Sequence, residues 1–492
     1  MDEIVIHPEL PPNDIILLKN LADEFRQRLQ KQQRHHQNQN QGPGPHPDDD
    51  AELATDAEPA AGETRQPSDA EAPSQAAAAA GDDDGSAGAA PDDYAWTARD
   101  EEDLARMKAL NDPASPEFEP TVFSSVDLRD LSARLHPFVY DYVLLPYIHD
   151  VIMVTHLIIY FTTSVPSALW LFYRFTALHG VLHFAMQFYY MGTYTLMMHQ
   201  HIHGGGVLRK SPLLIRCFDL AFPYLIDPLM GHSWNSYYYH HIKLHHVEGN
   251  GPDDLSSTLR YQRDSVWDFL QYLGRFYFLI WLDLPLYFLR KGRLALAAKA
   301  GGWELSYYGV LAALLRLRPG ATVCALLLPL LLLRVGLMVG NWGQHAFVDP
   351  DEPDSDYRSS ITLIDVPSNR YCFNDGYHTS HHLNPRRHWR DHPTHLLARK
   401  GTYGREGALV FAGIDYLEVT VRLLLGHYER LAARLVPVGA RQHALTPAQR
   451  VDLLRRAARR FSEDEIRRKF RTAAAAAAAA APAEVEDADK TK

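Results

Sequence analysis

Residues 321–345 read ATVCALLLPLLLLRVGLMVGNWGQH, an apolar run that contains one charged side chain, Arg334, and ends with Asn341 and His345. About 20 consecutive apolar residues in a helix are enough to cross the hydrocarbon core of a bilayer. A buried helix of a soluble protein is the alternative. The leucine-rich run Leu326–Leu333 and the aromatic residues near the ends of this and similar stretches favour a membrane-spanning helix.

Three more apolar stretches reach this length, each with only a few charged residues or histidines: Phe138–Phe161, Ala168–Met198 and Phe269–Leu289. Leu305–Leu315 is too short to cross a bilayer alone. Leu213–Met230 carries three charged side chains and is predicted to lie along the membrane interface. We therefore predict an all-α integral membrane protein with about four transmembrane helices and additional interfacial helices.

Histidines are the second unusual feature of the chain. It contains 26 of them, and twelve lie between residues 199 and 382. Most of these belong to three clusters, HQHIH at 199–203, HHIKLHH at 240–246 and HTSHH at 378–382. Histidines three or four residues apart project from one face of a helix, so each cluster presents neighbouring imidazole rings. The predicted ligand set is His199, His203, His241, His245, His246, His345, His378, His381 and His382.

Nine imidazoles are too many ligands for one metal ion and suit two ions. Imidazole binds zinc, copper, iron and nickel. Cys217, Cys324 and Cys372 are far apart in the sequence and predict neither a disulfide framework nor a sulfur-rich metal site. A nitrogen-rich site for two redox-active metals indicates iron and oxygen chemistry.

The remaining histidines of this region are left out of the predicted ligand set. His179 and His183 share the helical spacing, but they lie in the middle of a predicted span. His201 and His240 project from other faces of their helices. The histidines after the third cluster are predicted to lie on the surface: His388, His392 and His395.

All ligands of one site must lie on the same side of the membrane. Two predicted spans separate His246 from His345, and this even number returns the chain to the side from which it started. Loops rich in Lys and Arg are typical of the cytosolic side, so the basic residues that flank the clusters predict that the histidines face the cytosol. These residues are Arg209, Lys210, Lys243, Arg386 and Arg387.

The three clusters resemble the histidine boxes of the membrane-bound fatty acid desaturase family. The family pattern is HxxxH or HxxxxH, then HxxHH or HxxxHH, then a late HxxHH. The sequences HQHIH, HIKLHH at 241–246 and HTSHH match it in order, and the resemblance covers about residues 135–400. NWGQH at 341–345 is similar to the NxxxH element of the stearoyl-CoA desaturase branch, where the histidine is a ligand and the asparagine approaches one iron through water. The resemblance implies these roles for His345 and Asn341.

The resemblance also implies a cytosolic helical cap that holds two iron ions. With O2 and two reducing equivalents, such a centre converts a CH2–CH2 unit of a fatty acyl lipid into a double bond, and the metal ligands are then the only catalytic residues. The sequence contains no HPGG haem motif, so we expect electrons to come from cytochrome b5 and its reductase or from ferredoxin. The acidic N-terminal residues match neither a signal peptide nor a transit peptide, which favours the endoplasmic reticulum over a plastid envelope.

Two other functions remain open at this point. Hydroxylases, ketolases and alkane monooxygenases carry similar boxes and differ in where the reacting carbon of the bound substrate lies relative to the metal ions. A non-catalytic metal transporter or receptor with histidine-rich loops is a more remote alternative, because transporters place ligands inside their spans and these clusters lie at span ends.

Composition divides the chain into four predicted segments. Residues 1–120 carry 27 acidic and nine basic side chains and are predicted to form a low-complexity arm that is disordered for most of its length, with room for one short helix at Asp14–Leu29. Residues 135–400 form the predicted membrane desaturase domain, 405–472 a helical basic region, and 473–492 a low-complexity tail. An acidic arm on a moderately basic body argues against a nucleic-acid partner, so the expected partners are the lipid bilayer, the acyl lipid and the electron donor.

Overall fold

The computed structural model describes residues 10–40, 96–112, 114–118, 151–206, 208 and 213–470. Several predicted features lie outside these residues, namely most of the arm, the start of the first predicted span, the pair Arg209 and Lys210, and the C-terminal tail.

The described chain is mostly helical. The α-helices are α1 (Pro12–Asn40), α2 (Ala98–Asn111), α3 (Val151–Thr162), α4 (Ser164–Tyr173), α5 (Ala177–Gly204), α6 (Leu213–Ile226), α7 (His246–Glu248), α8 (Val266–Arg290), α9 (Leu294–Leu317), α10 (Pro319–Thr322), α11 (Leu328–Gln344), α12 (Asp356–Ser359), α13 (Pro367–Tyr371), α14 (His378–Leu383), α15 (Asp391–Ala398), α16 (Lys400–Glu406), α17 (Tyr416–Leu424), α18 (Tyr428–Arg434), α19 (Gly439–His443) and α20 (Pro447–Ala457). The π-helices are π1 (Tyr238–His245) and π2 (Val323–Leu327). The strands are β1 (Ile361–Ile364), β2 (Leu409–Ala412) and β3 (Leu435–Val436).

Two helices of the described chain are long and apolar enough to cross a membrane. Ile152–Tyr173 has 22 residues and comprises α3 and α4, while Pro319–Gln344 has 26 residues and comprises α10, π2 and α11. The predicted count of four spans is therefore not confirmed by length and composition.

The third predicted span, Phe269–Leu289, belongs to α8 and is not among the helices that are long and apolar enough to cross a membrane. Near the start of α8, the Tyr272 hydroxyl donates to the Ser256 carbonyl at 3.3 Å, and near its end the Tyr287 hydroxyl donates to Glu248 at 2.6 Å. Both ends of the helix therefore contact the segment 248–256. A helix with one apolar face that lies along an interface has much the same composition as a crossing helix, so this span is not confirmed.

The short apolar stretch Leu305–Leu315 is instead part of the 24-residue helix α9. After α9 the chain reaches Gly320, which lies against the Phe175 ring just before α5 begins. This is the opposite end of α5 from His199. The helix Pro319–Gln344 then leads back to His345. The chain thus leads away from the histidines along α9 and back to His345 along Pro319–Gln344.

A small three-stranded sheet departs from the all-α prediction. Strands β1 and β2 are parallel, with Ile361 opposite Leu409, and β2 pairs antiparallel with β3 through Val410 and Val436. Their apolar residues are too few to give a clear alternation in the sequence. The sheet packs on one side against α17, α18 and α20 and on the other against α1, α2, α15 and α16. Strand β1 also contacts α14, the helix of the third histidine cluster.

Two helices lie inside the segment that is predicted to be disordered for most of its length. The first, α1, coincides in part with the short helix that the sequence allows at Asp14–Leu29, whereas α2 is not predicted. Leu17 and Leu18 of α1 are buried against Leu396 and Leu397 of α15. The composition of the whole arm conceals α2, because it is averaged with the Ala- and Asp-rich residues that precede this helix. The boundaries of the other predicted segments remain predictions.

Polar contacts also join these helices to the rest of the chain. The Tyr377 hydroxyl, which precedes the third histidine cluster, donates to Asp14. The buried Lys400 ammonium donates to Asp100 of α2 and to the Asn20 side chain of α1 at 2.7 Å. Because the charges of Lys400 and Asp100 are buried together, each depends on the other for its stability.

We expect Lys400→Met to destabilise the protein, because it leaves the Asp100 carboxylate buried without its cation. Removal of one partner of a buried ion pair costs about 3–5 kcal/mol, which lowers the midpoint of thermal unfolding in detergent. Lys299→Met, on the exposed surface of α9, is the matched control. Equal unfolding midpoints for the two variants would show that α2 does not dock on the body through Lys400.

Candidate metal centre

The first histidine cluster forms the last turn of α5. The helix ends at Gly204, and Gly205 follows with a φ of 73°, a left-handed conformation that glycine adopts without strain. His199 and His203 are one turn apart, and their ring centroids are separated by 4.7 Å. The glycines that follow allow the chain to turn away immediately after the second ring.

The second cluster lies on π1, which changes the pairing that α-helical spacing predicts. The spacing of an α-helix would place His241 beside His245, four residues later in the sequence. In the π-helix the hydrogen bonds join residues five apart, and the His246 N–H donates to the His241 carbonyl. His241 and His246 therefore share one face and their Nε2 atoms lie 3.0 Å apart, while His245 points to a different set of ligands.

The third cluster forms the short helix α14, and its histidines are divided in the same way. His378 and His382 are one α-helical turn apart, with Nε2 atoms separated by 3.0 Å. His381 faces the other way, towards His199 and His246. His345 follows directly on the last residue of α11 and joins His378 and His382.

The structure brings all nine predicted histidines together in two adjacent groups. Within each group, one ligand atom per residue lies within 4.8 Å of every other. The first group, termed site A, consists of His199, His203, His241, His246 and His381. The second group, termed site B, consists of His245, His345, His378 and His382. The rings of His246 and His382 connect the two sites, with centroids 5.2 Å apart.

The distances between nitrogen atoms fit the coordination of a metal ion. In site A the Nε2 atom of His381 lies 3.0 Å from that of His199 and 2.8 Å from that of His246. Metal–imidazole bonds of about 2.1 Å at right angles to each other place two nitrogens about 3 Å apart. The Nε2 atom of His203 is buried and has no hydrogen-bond partner within the described chain. A cation at the centre of site A would satisfy it.

Site B also has short distances between its ring nitrogens, and hydrogen bonds to the far nitrogen atom hold two of its rings, those of His245 and His345. The Nε2 atoms of His345 and His378 are 3.3 Å apart. The Nδ1 atom of His345 donates to the Ser359 carbonyl at 2.7 Å, which leaves Nε2 without its proton and aimed at the centre of the site. A hydrogen bond to the far nitrogen fixes both the tautomer and the orientation of a metal-binding imidazole.

Asp254 fixes the orientation of the His245 ring through a hydrogen bond to its far nitrogen. Its carboxylate accepts from the His245 Nδ1 atom at 2.8 Å and from the Ser256 backbone N–H at 2.9 Å. Burial alone would raise the pKa of Asp254, but the charge and hydrogen bond of His245 outweigh it and lower this pKa to about 2. The carboxylate is therefore ionised at neutral pH and holds the imidazole in one orientation.

Residues 168–412 match the family model described as fatty acid desaturase. The chain belongs to the fatty acid desaturase family. The matched range contains every residue of sites A and B. No curated protein and no solved structure matches the chain. Membership of the family implies an oxidoreductase that acts on fatty acyl chains in a membrane setting.

Eight of the site histidines have a lowered pKa and are neutral at physiological pH. Burial is the main cause, and repulsion between the imidazoles adds to it. Together they lower the pKa of His378, His381 and His382 well below 6.5, and they lower the pKa of His345 to about 3. Neutral imidazole is the form that binds metals, so the protein prepares these rings as ligands.

A cavity of about 490 Å³ borders both sites of the desaturase. His199 and His241 of site A and His245 and His378 of site B lie in its wall. Its other lining residues include apolar side chains of α5, α8 and α11. An apolar cavity that ends at two metal-binding groups can hold a hydrocarbon chain with its carbon atoms against the metals.

Asn341, the predicted cofactor-binding residue, also lines this cavity. Its side-chain N–H2 group donates to the Ser256 carbonyl at 2.9 Å and to the Tyr272 hydroxyl at 2.7 Å. Ser256 in turn donates to Asp254 through its hydroxyl at 2.8 Å. The asparagine is thus fixed beside site B and connected to the residues that orient His245.

Most histidines left out of the ligand set lie apart from both sites. His179 and His183 both contact the Ser167 hydroxyl at 2.9 Å, within the helical bundle. His201 packs against Phe222. His240 lies at the edge of the cavity but belongs to neither site.

His392 is not on the surface, so its sequence prediction is wrong. It is buried, its Nδ1 atom lies 2.9 Å from the Ser380 hydroxyl, and its ring is 6.1 Å from that of His381. Nothing in the sequence predicts the burial of His392, because this residue follows Pro385 in a polar stretch. Docking of α15 beside α14 buries it.

Proposed function

We propose that this protein catalyses the O2-dependent desaturation of a fatty acyl chain at a di-iron centre formed by sites A and B. The observation that carries the proposal is the convergence of nine histidines, five in site A and four in site B, beside an apolar cavity whose wall includes residues of both sites. Imidazole ligands suit iron, and two adjacent groups suit two ions.

Two bound iron ions would supply the oxidising chemistry, with O2 as the oxidant. In the overall reaction a CH2–CH2 unit loses two hydrogen atoms, and O2 takes these together with two electrons and two protons to form two molecules of water. A double bond remains in the acyl chain.

The protein contributes position and a dry environment. The cavity walls hold the chain and keep water from the reacting carbons. Ser359 and Asp254 hold His345 and His245 with their Nε2 atoms directed into site B. We assign no acid or base role to any other side chain, in line with the expectation that the metal ligands are the catalytic residues.

Expression in a host of known lipid composition, followed by fatty acid profiling, tests the proposed function. We expect an unsaturated fatty acid that is absent from the host and from a host that expresses the His345→Ala variant. A hydroxylated or ketone-containing fatty acid in its place would assign the protein to the related oxygenases. An unchanged profile with normal membrane abundance and iron content would contradict an activity on fatty acids.

We expect turnover to require a separate electron donor. The reaction consumes two electrons, and the chain contains no haem-binding HPGG motif to deliver them. Purified enzyme should be active with cytochrome b5 and its reductase, or with ferredoxin and its reductase, and at least 20 times slower with reduced pyridine nucleotide alone. Full activity without a protein donor would contradict this expectation.

We also propose that the protein resides in the endoplasmic reticulum, with sites A and B facing the cytosol. In this arrangement the crossing helices are Ile152–Tyr173, α5, α9 and Pro319–Gln344. Support comes from the path of the chain, since α5 and Pro319–Gln344 both end at the histidines. Single cysteines at Arg386 and at Arg318 should react with a membrane-impermeant reagent from opposite sides of sealed vesicles. Labelling of both from one side would contradict the topology.

A further inference from the structure

The cavity beside the metal sites opens sideways through a rim of exposed residues without polar side chains. Two of them belong to α5, Phe188 and Gly192, one to α11, Gly336, and one to α17, Leu417. Phe188 is 61% exposed and Leu417 is 60% exposed. The polar residues that line the cavity, such as Gln344, Asp375 and Asp415, are less exposed than these four, so the most exposed part of the lining carries no polar side chain.

Glycines at the rim and next to it leave an open slot between α5 and α11. A Cβ atom added at Gly192, Gly336 or Gly340 would have no other atom within 4 Å. All three glycines line the cavity. Because no side chain fills these positions, α5 and α11 leave a gap between them along the path from the rim to the histidines.

The surface around the slot is suited to the interior of a membrane. An exposed apolar stripe follows one face of α17. It consists of Leu417 and Val421 of the helix and Leu425 directly after it, each four residues from the next. This helix packs on α11, where the Thr420 hydroxyl donates to the Val339 carbonyl at 3.0 Å. An exposed apolar stripe beside a membrane-spanning helix is expected to lie in the hydrocarbon or at its boundary.

The charge of the cavity distinguishes between two carriers of the acyl chain. Among the described residues that line it are two acidic ones, Asp375 and Asp415, and no Lys or Arg. Coenzyme A carries several phosphate groups, and proteins recognise phosphate with Arg and Lys. A lipid whose head group is neutral or zwitterionic needs no such cation.

We propose that the acyl chain reaches the metal sites from the bilayer, through the slot between α5, α11 and α17, while it is attached to a membrane lipid by an ester or amide bond. The proposal rests on the proposed function and names its substrate class. The lipid chain enters between the glycines, and the head group stays outside at the level of α17.

Photolabelling tests the route independently of catalysis. The full-length protein is reconstituted in vesicles with phosphatidylcholine that carries a diazirine in one acyl chain, or is exposed to coenzyme A esters of the same chain. We expect the phosphatidylcholine probe to label peptides that contain Phe188 and Leu332. Gly336→Leu should reduce this labelling at least tenfold, because its side chain fills the slot. Gly309→Leu, an exposed glycine of α9 whose added Cβ also meets open space, should leave it within twofold.

Desaturation is measured in parallel vesicle samples that are supplied with O2 and the protein electron donor and that contain the corresponding lipids without diazirine, by mass spectrometry of intact lipids. Double bonds in vesicle phosphatidylcholine, lost in Gly336→Leu and retained in Gly309→Leu, support the proposal. Labelling and desaturation of only the coenzyme A ester, or equal labelling of the two glycine variants, would overturn it. Specific labelling of the slot in a protein that desaturates neither substrate would contradict the proposed function and leave the route in place.

Discussion

Replacement of His345 by Ala is expected to abolish product formation and to lower the bound iron from two ions per chain to at most one. His345 is fully buried, its Nε2 atom faces His378 at 3.3 Å, and its Nδ1 atom is fixed by Ser359. Site B has four histidines, and removal of one leaves three. Fatty acid profiling of the host and metal analysis of the purified variant measure the two effects.

His179→Ala is the matched control for this variant. His179 also belongs to a pair of histidines at helical spacing, but it contacts Ser167 and lies outside both sites. We expect it to keep both irons and at least a third of the activity. Membrane abundance of each variant separates loss of the metal from loss of the fold. Loss of iron in His179→Ala, together with an active and iron-loaded His345→Ala, would contradict the ligand set.

The second large effect is expected for Asp254→Ala. This change removes the carboxylate that holds the His245 ring, and loss of such a partner typically lowers metal affinity or activity by about 10–100-fold. We expect iron to dissociate correspondingly faster when the protein is treated with a chelator. Asp254→Asn should recover part of the loss, because the amide oxygen can still accept the His245 N–H.

Asp253→Ala is the control for this experiment. Asp253 is the preceding residue, but it is exposed and pairs with Lys291 on the surface. Its removal is expected to change activity by less than twofold, because exposed ion pairs contribute little. Similar iron release from the Asp253 and Asp254 variants would show that the His245–Asp254 contact does not support the centre.

The nine histidines could be predicted from the sequence because helical spacing repeats three times and each cluster lies beside an apolar stretch. Their division into sites A and B could not. The division depends on π1, where a five-residue hydrogen-bond spacing pairs His241 with His246 and turns His245 to the other site. Nothing in the local sequence HHIKLHH distinguishes a π-helix from an α-helix.

The membrane helices show the limit of composition. Pro319–Gln344, which contains the predicted span Ala321–Gly340, is long and apolar enough to cross a membrane. The span predicted from the apolar residues of α8 is not confirmed, and the contacts of Tyr272 and Tyr287 with the segment 248–256, which composition cannot reveal, bring both ends of α8 to one segment. The docking of α1 was likewise not predictable, because it depends on partners such as Lys400 that are hundreds of residues away.

The central claim is that sites A and B each hold one iron ion, and metal analysis of the purified full-length protein tests it most directly. The protein is produced in iron-supplemented cells, and iron, zinc, copper and nickel are measured per chain by mass spectrometry. We predict two irons per chain, about one after His345→Ala and two after His179→Ala. Two zinc ions in place of iron, or a single metal ion per chain in the unmodified protein, would contradict the account.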